Sequence, residues 1–117
     1  MSIISMYTQQ SLKKDIAHLY NRVNQEIHGV GVKKQRIEIF DDRVIVFAQH
    51  KRVQTLQTLS KNFHHLILSV DSALIVEFKS LFKGQIEDTL HLKVKSILRD
   101  YDPDSEEACT IIYFNEY

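Results

Sequence analysis

One short stretch of this chain, residues 29–47, determines most of its predicted architecture. Gly29 and Gly31 follow a helical pattern, and a glycine with a left-handed backbone commonly ends a helix. Two segments of alternating residues come next, separated by Asp41 and Asp42. The stretch therefore predicts a helix that stops at the glycines, followed by two short strands joined by a tight turn.

The two alternating segments, residues 36–40 and 43–47, show the period of two that is typical of β-strands. Asp41 and Asp42 suit a two-residue turn because Asp tolerates the positive φ that tight hairpins use. The predicted register pairs Phe40 with Arg43, Glu38 with Ile45, and Arg36 with Phe47. One face of the hairpin is then aliphatic throughout, with Ile37, Ile39, Val44, Val46 and Ala48.

The opposite face of this hairpin is also rich in apolar residues. Phe40, Ile45 and Phe47 lie on it among charged side chains, which makes it too apolar to serve only as a hydrated surface. We expect it to be covered, either by a partner subunit or by a helix or terminus of the same chain. These three residues form the predicted interface.

Two helical regions flank the hairpin. The first carries apolar residues at helical spacing from Leu12 to Ile27, and Thr8 or Ser11 can cap its start. The second begins at Val53, breaks near Asn62 and continues as a long helix. Its apolar residues cover so much of the circumference that we expect burial on more than one side.

Two further strands are predicted towards the end of the chain. Segments 93–101 and 108–114 have strand-like composition, and the polar, proline-containing stretch between them predicts an exposed loop. The order is then α-β-β-α-β-β. We expect an α+β fold in which one four-stranded antiparallel sheet packs against two main helices, as a single domain over residues 1–117.

The composition argues against several classes of protein. A chain of 117 residues is the usual size of one domain, and its fifteen basic and fifteen acidic side chains leave no net charge for a polyanionic partner. Residues 1–8 lack the basic flank and long apolar run of a secretory signal, so a cytoplasmic location is expected. The most apolar window, residues 66–82, carries Asp71, Glu77 and Lys79, which favours a buried amphipathic helix over a membrane span.

The sequence predicts neither an enzyme nor a metal or cofactor site. His64 and His65 are adjacent, so on a helix their side chains diverge by about 100° and cannot readily share an ion. The lone cysteine, Cys109, lies between apolar neighbours in a predicted strand, where a free cysteine is usually a small core residue. The acidic loop at 100–107 lacks the spacing of a calcium loop.

Nucleic-acid binding is a disfavoured alternative. Basic residues gather around the first hairpin beside Phe40 and Phe47, a combination that can bind single strands. Charges on an edge strand also prevent strand-to-strand aggregation, and the neutral overall charge favours that interpretation. The basic residues are Lys33, Lys34, Arg36, Arg43, Lys51 and Arg52.

From residue 19 to residue 114 the sequence resembles the MpsC-like family, small bacterial domains named for a sodium-translocating, membrane-potential-generating system. The resemblance rests on the helix end Gly29-Val-Gly-Val, the strands around Asp41-Asp42, the helix ending in Ile86-Glu87, Val94, and the final strand Ile111-Ile-Tyr-Phe. It implies a cytoplasmic protein connected with inorganic-ion or bicarbonate physiology at the membrane.

The chain departs from the family pattern at three places. Val32 stands where the family usually has proline, and Val53-Gln-Thr-Leu56 replaces a Thr-Pro-x-Glu-like start to the second helical region. A helical arginine of the family has no counterpart between Val70 and Ile75. If those polar residues carry the family's activity, this member has lost or changed it.

Three functions remain open from the sequence. The leading expectation is a non-enzymatic interaction domain that forms a homodimer and meets a protein of a membrane ion-transport system. The second is a small-molecule-binding regulatory subunit, which a cavity lined by Tyr20, His50 or Tyr101 would favour and a solid core would oppose. The third is weak nucleic-acid binding through the basic hairpin.

Overall fold

A computed structural model describes residues 7–115 of the chain, so the segment 1–6 used in the secretory-signal argument lies outside it. The described part has three helices and four strands in the order helix, strand, strand, helix, helix, strand, strand. This confirms the predicted α+β class, with the second helical region divided in two. The elements are α1 (Gln9–His28), β1 (Lys34–Ile39), β2 (Arg43–Gln49), α2 (Gln54–Ser60), α3 (His64–Leu90), β3 (Val94–Asp102) and β4 (Glu107–Phe114).

Helix α1 has well-defined ends that follow from its sequence. The Ser11 backbone N–H donates to the Thr8 hydroxyl oxygen at 3.1 Å, which satisfies one of the free donors of the first turn. At the other end Gly29 is left-handed, with φ 73°, and its N–H donates to the Gln25 carbonyl. Between these caps, one stripe of α1 faces the core, with Leu12, Ile16, Leu19, Tyr20 and Val23 all buried.

The four strands form one antiparallel sheet in the order β1-β2-β4-β3. Each hairpin contributes two neighbouring strands, and the pairing of β2 with β4 joins the hairpins. The predicted register of the first hairpin is confirmed, with Arg36 opposite Phe47 and Glu38 opposite Ile45. The sheet therefore has one inner and one outer face along its whole width.

The turn of the first hairpin differs from its predicted mechanism. It does lie at Asp41 and Asp42, since the Phe40 N–H donates to the Arg43 carbonyl at 2.8 Å. Neither aspartate, however, is among the residues with positive φ, which in the described part are Gly29, His91 and Glu106. The turn is instead tied down by side-chain and backbone bonds, from the Arg43 guanidinium to the Asp42 carboxylate and from the Phe114 N–H to the Asp42 carbonyl.

The core lies between the inner face of the sheet and helices α1 and α3. At its centre Tyr20 meets Phe78 and Phe82 edge-on, with ring centroids 5.5 and 5.7 Å apart. The predicted aliphatic face of the first hairpin supplies part of this core, with Val44 and Val46 fully buried. Both long helices therefore cover the same face of the sheet, and the opposite face has no helix of the described chain on it.

Helix α3 is buried mainly along its second half. Its 27 residues span about 40 Å, and the last four turns bury Phe78, Phe82, Ile86 and Leu90. The first half packs against the short α2 and buries only Ile67. Burial on more than one side was expected from the sequence and is wrong for the single chain, because Leu66, Leu68 and Val76 remain 50–62% exposed.

Candidate functional site

A cleft opens where the end of the sheet meets the helices. Its floor comes from β3 and from the residues after β2, and α2 and α3 form the opposite wall. The cavity within the cleft is small, with a volume of about 40 Å³, and the cleft is otherwise open to solvent. Its lining consists of His28, His50, Lys51, Arg52, Val53, Leu56, Asp71, Leu74, Ile75, Arg99 and Tyr101.

Arg99 is the central charged group of this cleft. Strand alternation places it on the inner face of β3 with Ile97 and Tyr101, a position normally occupied by an apolar residue. Its guanidinium lies 3.8 Å from the Phe78 ring centroid, so aromatic contact holds the charge at the margin of the core.

The hydrogen-bond partners of Arg99 are neutral. One terminal nitrogen donates to the Tyr20 hydroxyl at 2.9 Å and to the Thr110 hydroxyl at 2.8 Å. The other lies 3.2 Å from His50 Nε2. None of the ion pairs within residues 7–115 involves Arg99. Neutral hydrogen-bonding groups therefore stabilise its positive charge, and no carboxylate of the described residues forms an ion pair with it.

Arg52 brings a second guanidinium to the cleft, and this one is paired. Its two terminal nitrogens donate to the two oxygens of Asp71 on α3 at 2.7 and 2.9 Å, a bidentate arrangement. The Arg52 backbone N–H also donates to Glu106 at 2.6 Å. Arg52 is only 8% exposed, yet its Nε has no acceptor within the described part of the chain.

Three rings stack beside the two arginines. His50 lies between Tyr101, at 4.9 Å with ring planes 8° apart, and His28 at 6.0 Å. Burial and the nearby Arg99 charge lower the pKa of His50 to about 4, and burial likewise lowers the pKa of His28. His50 is thus a neutral ring at pH 7 that accepts from Arg99 through Nε2, which leaves the proton on Nδ1. Burial raises the pKa of Tyr101 to about 12, so it stays a neutral hydroxyl that donates to the His50 carbonyl.

The outer face of the sheet is a second candidate surface. Ile45 on β2 lies opposite Ile111 on β4, and Ile111 lies opposite Leu98 on β3, so a row of aliphatic side chains crosses three strands. The two isoleucines are half-buried and Leu98 is 51% exposed. We call these residues, together with Phe40 and Phe47, the outer sheet patch.

The predicted interface residues lie in this patch, with different degrees of cover. Phe40, at the hairpin turn, is 48% exposed. The Phe47 ring is covered on one side by Arg36, whose guanidinium carbon lies 4.5 Å from the ring centroid. Of the two covers expected from the sequence, a helix of the same chain is excluded within residues 7–115, since α1 and α3 lie on the inner face.

Sequence reasoning named some residues of the cleft and missed others. Of the three residues named for a cavity, His50 and Tyr101 line the cleft, whereas Tyr20 is fully buried outside its lining and only bonds to Arg99. Sequence reasoning did not predict that Arg52, Asp71 and Arg99 lie together in one cluster. Two signals were present, a charged residue at an inward strand position and an aspartate on the core side of α3. Gly29, Gly31 and the Asp41–Asp42 turn lie outside the lining of the cleft.

Within residues 7–115 there is no cluster of three or more His, Cys, Asp or Glu side chains arranged to hold a metal ion. No helix in the same range combines the length and the apolarity that a membrane span requires.

The fold and the cleft together define a class, an α+β domain with two long helices on one face of a four-stranded antiparallel sheet and a cationic cleft at its end. The chain belongs to the MpsC family, whose model is described as "Na+-translocating membrane potential-generating system (MpsC)" and matches residues 8–116. The family name links the chain to such a membrane system. The searches of curated proteins and of solved structures give no match.

Proposed function

We propose that this protein is a non-enzymatic accessory domain of a membrane ion-transport system, that it is cytoplasmic, and that it works as a homodimer. The observation that carries the proposal is the outer sheet patch, a continuous apolar row on a face that no described helix covers. A second copy is the proposed cover of that patch. The family name supports the connection with a sodium-translocating membrane system.

The chemistry around the outer sheet patch suits a second copy of the same surface. Its rim carries both signs of charge, with Arg36 and Arg43 on the first hairpin, and Lys95 and Asp100 on β3. A two-fold axis through the patch would bring apolar rows together at the centre and leave mixed charges at the edge, where they stay hydrated. A strongly one-signed rim would repel its own copy, and this rim is mixed.

The exposed half of α3 is a separate surface with a separate proposed occupant. Leu66, Leu68 and Val76 lie on the helix that covers the inner side of the sheet, so a dimer formed through the outer face leaves them free. We assign this surface to a protein of the membrane system, since exposed apolar residues on a helix are a common docking element.

Sedimentation velocity at micromolar concentrations tests the dimer. The wild-type chain is expected to sediment as a dimer and Ile45→Lys as a monomer, because the lysine places charge on the apolar row of both subunits. Position 45 lies opposite Glu38 on β1, so the introduced positive charge meets a carboxylate across the strands and the monomer should stay folded. Gln10→Lys, an equal charge change at an exposed position of α1, serves as control and should remain dimeric.

A monomeric wild type over this range, or an Ile45→Lys dimer as stable as wild type, would contradict the assignment of the outer sheet patch. The α3 surface is tested separately by affinity purification from membranes of the native cell. A sodium-translocating membrane protein should be retained by wild type and by Ile45→Lys, and lost with Leu66→Lys.

The cleft favours a second candidate function, a regulatory subunit that binds a small molecule. Its support is the pocket between sheet and helices with His50 and Tyr101 in its lining. The two functions are compatible, because the outer sheet patch and the cleft lie on opposite sides of the sheet.

A further inference from the structure

We propose that the cleft binds a small organic carboxylate, with its anionic group against Arg99 and Arg52 and its short apolar tail against α2 and α3. This deepens the second candidate function, on which it rests, and names the class of ligand. It does not depend on the dimer.

The first step of the argument concerns charge. The lining carries three cationic side chains, Lys51, Arg52 and Arg99, against the single carboxylate of Asp71. Asp71 is fully engaged by the bidentate bonds from Arg52. The Glu106 carboxylate accepts from the Arg52 backbone N–H and lies 3.5 Å from Lys33 Nζ. Arg99 is thus the cation that an incoming anion would neutralise, and burying a charge without a counter-charge is costly.

The second step concerns an unsatisfied donor. Arg52 is more than nine-tenths buried, and its Nε–H has no acceptor within residues 7–115. A buried donor of this kind is rare in folded proteins, but this atom has almost no accessible surface, so it does not itself contact a ligand in the cleft. A carboxylate in the cleft pairs instead with the partly buried guanidinium of Arg99, the pairing in which planar geometry and charge match best.

The third step concerns the opposite wall, which separates an organic acid from an inorganic anion. Leu56 on α2, Leu74 and Ile75 on α3, and Val53 before α2 form the apolar part of the lining, and the stacked rings of His50 and Tyr101 also line the cleft. A bare phosphate or bicarbonate would leave this apolar wall in contact with water. A tail of a few carbon atoms would cover it, so a carboxylate with a short tail fits both walls.

The two histidines of the lining are neutral, which agrees with a cleft that has one cationic part and one apolar part. His28 and His50 both remain uncharged at pH 7, so they add no charge and offer ring surface to a ligand. The anion is therefore held by the arginines, and binding should not require acidification.

The experiment is a ¹H–¹⁵N NMR titration of the wild-type chain with the sodium salts of acetate, propionate, butyrate and pentanoate at constant ionic strength. We expect shifts confined to amides around the cleft. We also expect affinity to rise roughly threefold to fourfold with each added methylene, as burial of one CH₂ group predicts. Inorganic phosphate and bicarbonate are the comparison ions. Equal affinity along the acid series, or tighter binding of either inorganic ion, would overturn the proposal.

Matched variants locate the site. Arg99→Gln should weaken butyrate binding by roughly tenfold or more, since it removes a charge-assisted contact. Arg36→Gln, which removes the same charge from the outer side of the sheet, should bind as wild type does. Equal affinity of the two variants would show that the anion sits elsewhere.

A further variant keeps the test decisive if Arg99→Gln fails to fold, since Arg99 also holds Tyr20 and Thr110. Leu56→Trp fills the apolar wall from the half-buried α2 and leaves both arginines in place. It should abolish butyrate binding while its NMR spectrum remains that of a folded protein, and retained binding would contradict the proposal. Sedimentation of the same samples shows whether the dimer persists, so loss of ligand and loss of assembly are distinguishable.

Discussion

At the scale of single residues, the cleft illustrates how one buried cation determines the state of its neighbours. Arg99 donates to His50 Nε2, and this bond requires a lone pair on that nitrogen. Protonating His50 would break the bond and place two positive charges 3.2 Å apart in a poorly hydrated site. Burial and Arg99 therefore act in the same direction on the histidine, and both lower its pKa.

A pH titration tests this coupling. The pKa of His50 is about 4 in the folded protein against an ordinary value of 6.5, so the unfolded chain takes up this proton first as the pH falls. Stability should therefore be greatest above about pH 6.5 and decline as the pH falls towards 4. His28, whose pKa is also lowered, adds to the decline.

The measurement is urea unfolding at a series of pH values, together with NMR titration of the histidine rings. His50→Gln keeps an acceptor for Arg99 and cannot be protonated in this range, so its stability should depend less on pH than that of wild type. His64→Gln, at an exposed position, should keep the wild-type dependence. A His50 ring that titrates near 6.5 would show that Arg99 does not control its charge.

At the scale of elements, the glycine that ends α1 and the glycine inside α3 have opposite effects on stability. Gly29 ends α1 with φ 73°, a conformation that costs an L-residue about 1–2 kcal/mol. Gly84 lies inside α3, and a Cβ added there meets nothing within 4 Å. One glycine is required by its backbone, and the other weakens the helix in which it lies.

Substituting each glycine by alanine should therefore change stability in opposite directions. Gly84→Ala should raise the free energy of unfolding by about 0.5–1 kcal/mol, because alanine loses less backbone entropy in a helix. Gly29→Ala should lower it by about 1–2 kcal/mol, because the left-handed cap is strained. Urea denaturation followed by circular dichroism measures both, and a shift of the same sign in the two variants would contradict this account of α3.

The elements also show which parts of the structure the sequence can predict. Each α1 cap depends on residues within one helical turn of each other, and the register of the first hairpin depends on two strands joined by a short turn. Local sequence patterns are therefore sufficient to predict both. The Asp41–Asp42 turn was placed correctly for the wrong reason, since its φ values are ordinary and its bonds reach β4. The single four-stranded antiparallel sheet followed from the two hairpin patterns and the general rule that sheets bury one face, whereas the pairing of β2 with β4 was not predicted.

The cleft could not be predicted in the same way, because its contacts are distant in sequence. Arg52 meets Asp71 across 19 residues, and Arg99 meets Tyr20 across 79. The packing of α1 and α3 on the sheet brings these side chains together. The sequence does mark Arg99 as unusual, since strand alternation points it towards the core, but it gives no sign of which residues it meets there.

At the scale of the whole molecule, burial is distributed unevenly. Helix α1, the second half of α3 and the inner face of the sheet form one compact core, and the chain is nonetheless 51 Å long. Helix α2 and the first half of α3 share a single buried residue, Ile67. The molecule thus consists of a firm body and a helical arm, residues 54–76, that buries little apolar surface and is joined to the body by the Arg52–Asp71 ion pair.

This division predicts a two-level pattern of hydrogen exchange. Amides of the arm should exchange at least tenfold faster than those of α1, β2 and β4, because local opening of the arm exposes little apolar surface. The dimer proposed for the outer sheet patch should not change this, since that patch lies on the other side of the sheet. Exchange measured by mass spectrometry at two protein concentrations, above and below the dissociation constant of the dimer, tests both statements.

The result also distinguishes the two proposed occupants. If the arm became protected at high concentration, two copies would be meeting through α3 and the outer sheet patch would be free for another partner. If the arm stayed unprotected while β2 and β4 slowed, the sheet would be the dimer surface. Leu66, Leu68 and Val76 would then remain exposed for the membrane system, whose binding should slow exchange in the arm and leave the sheet unchanged.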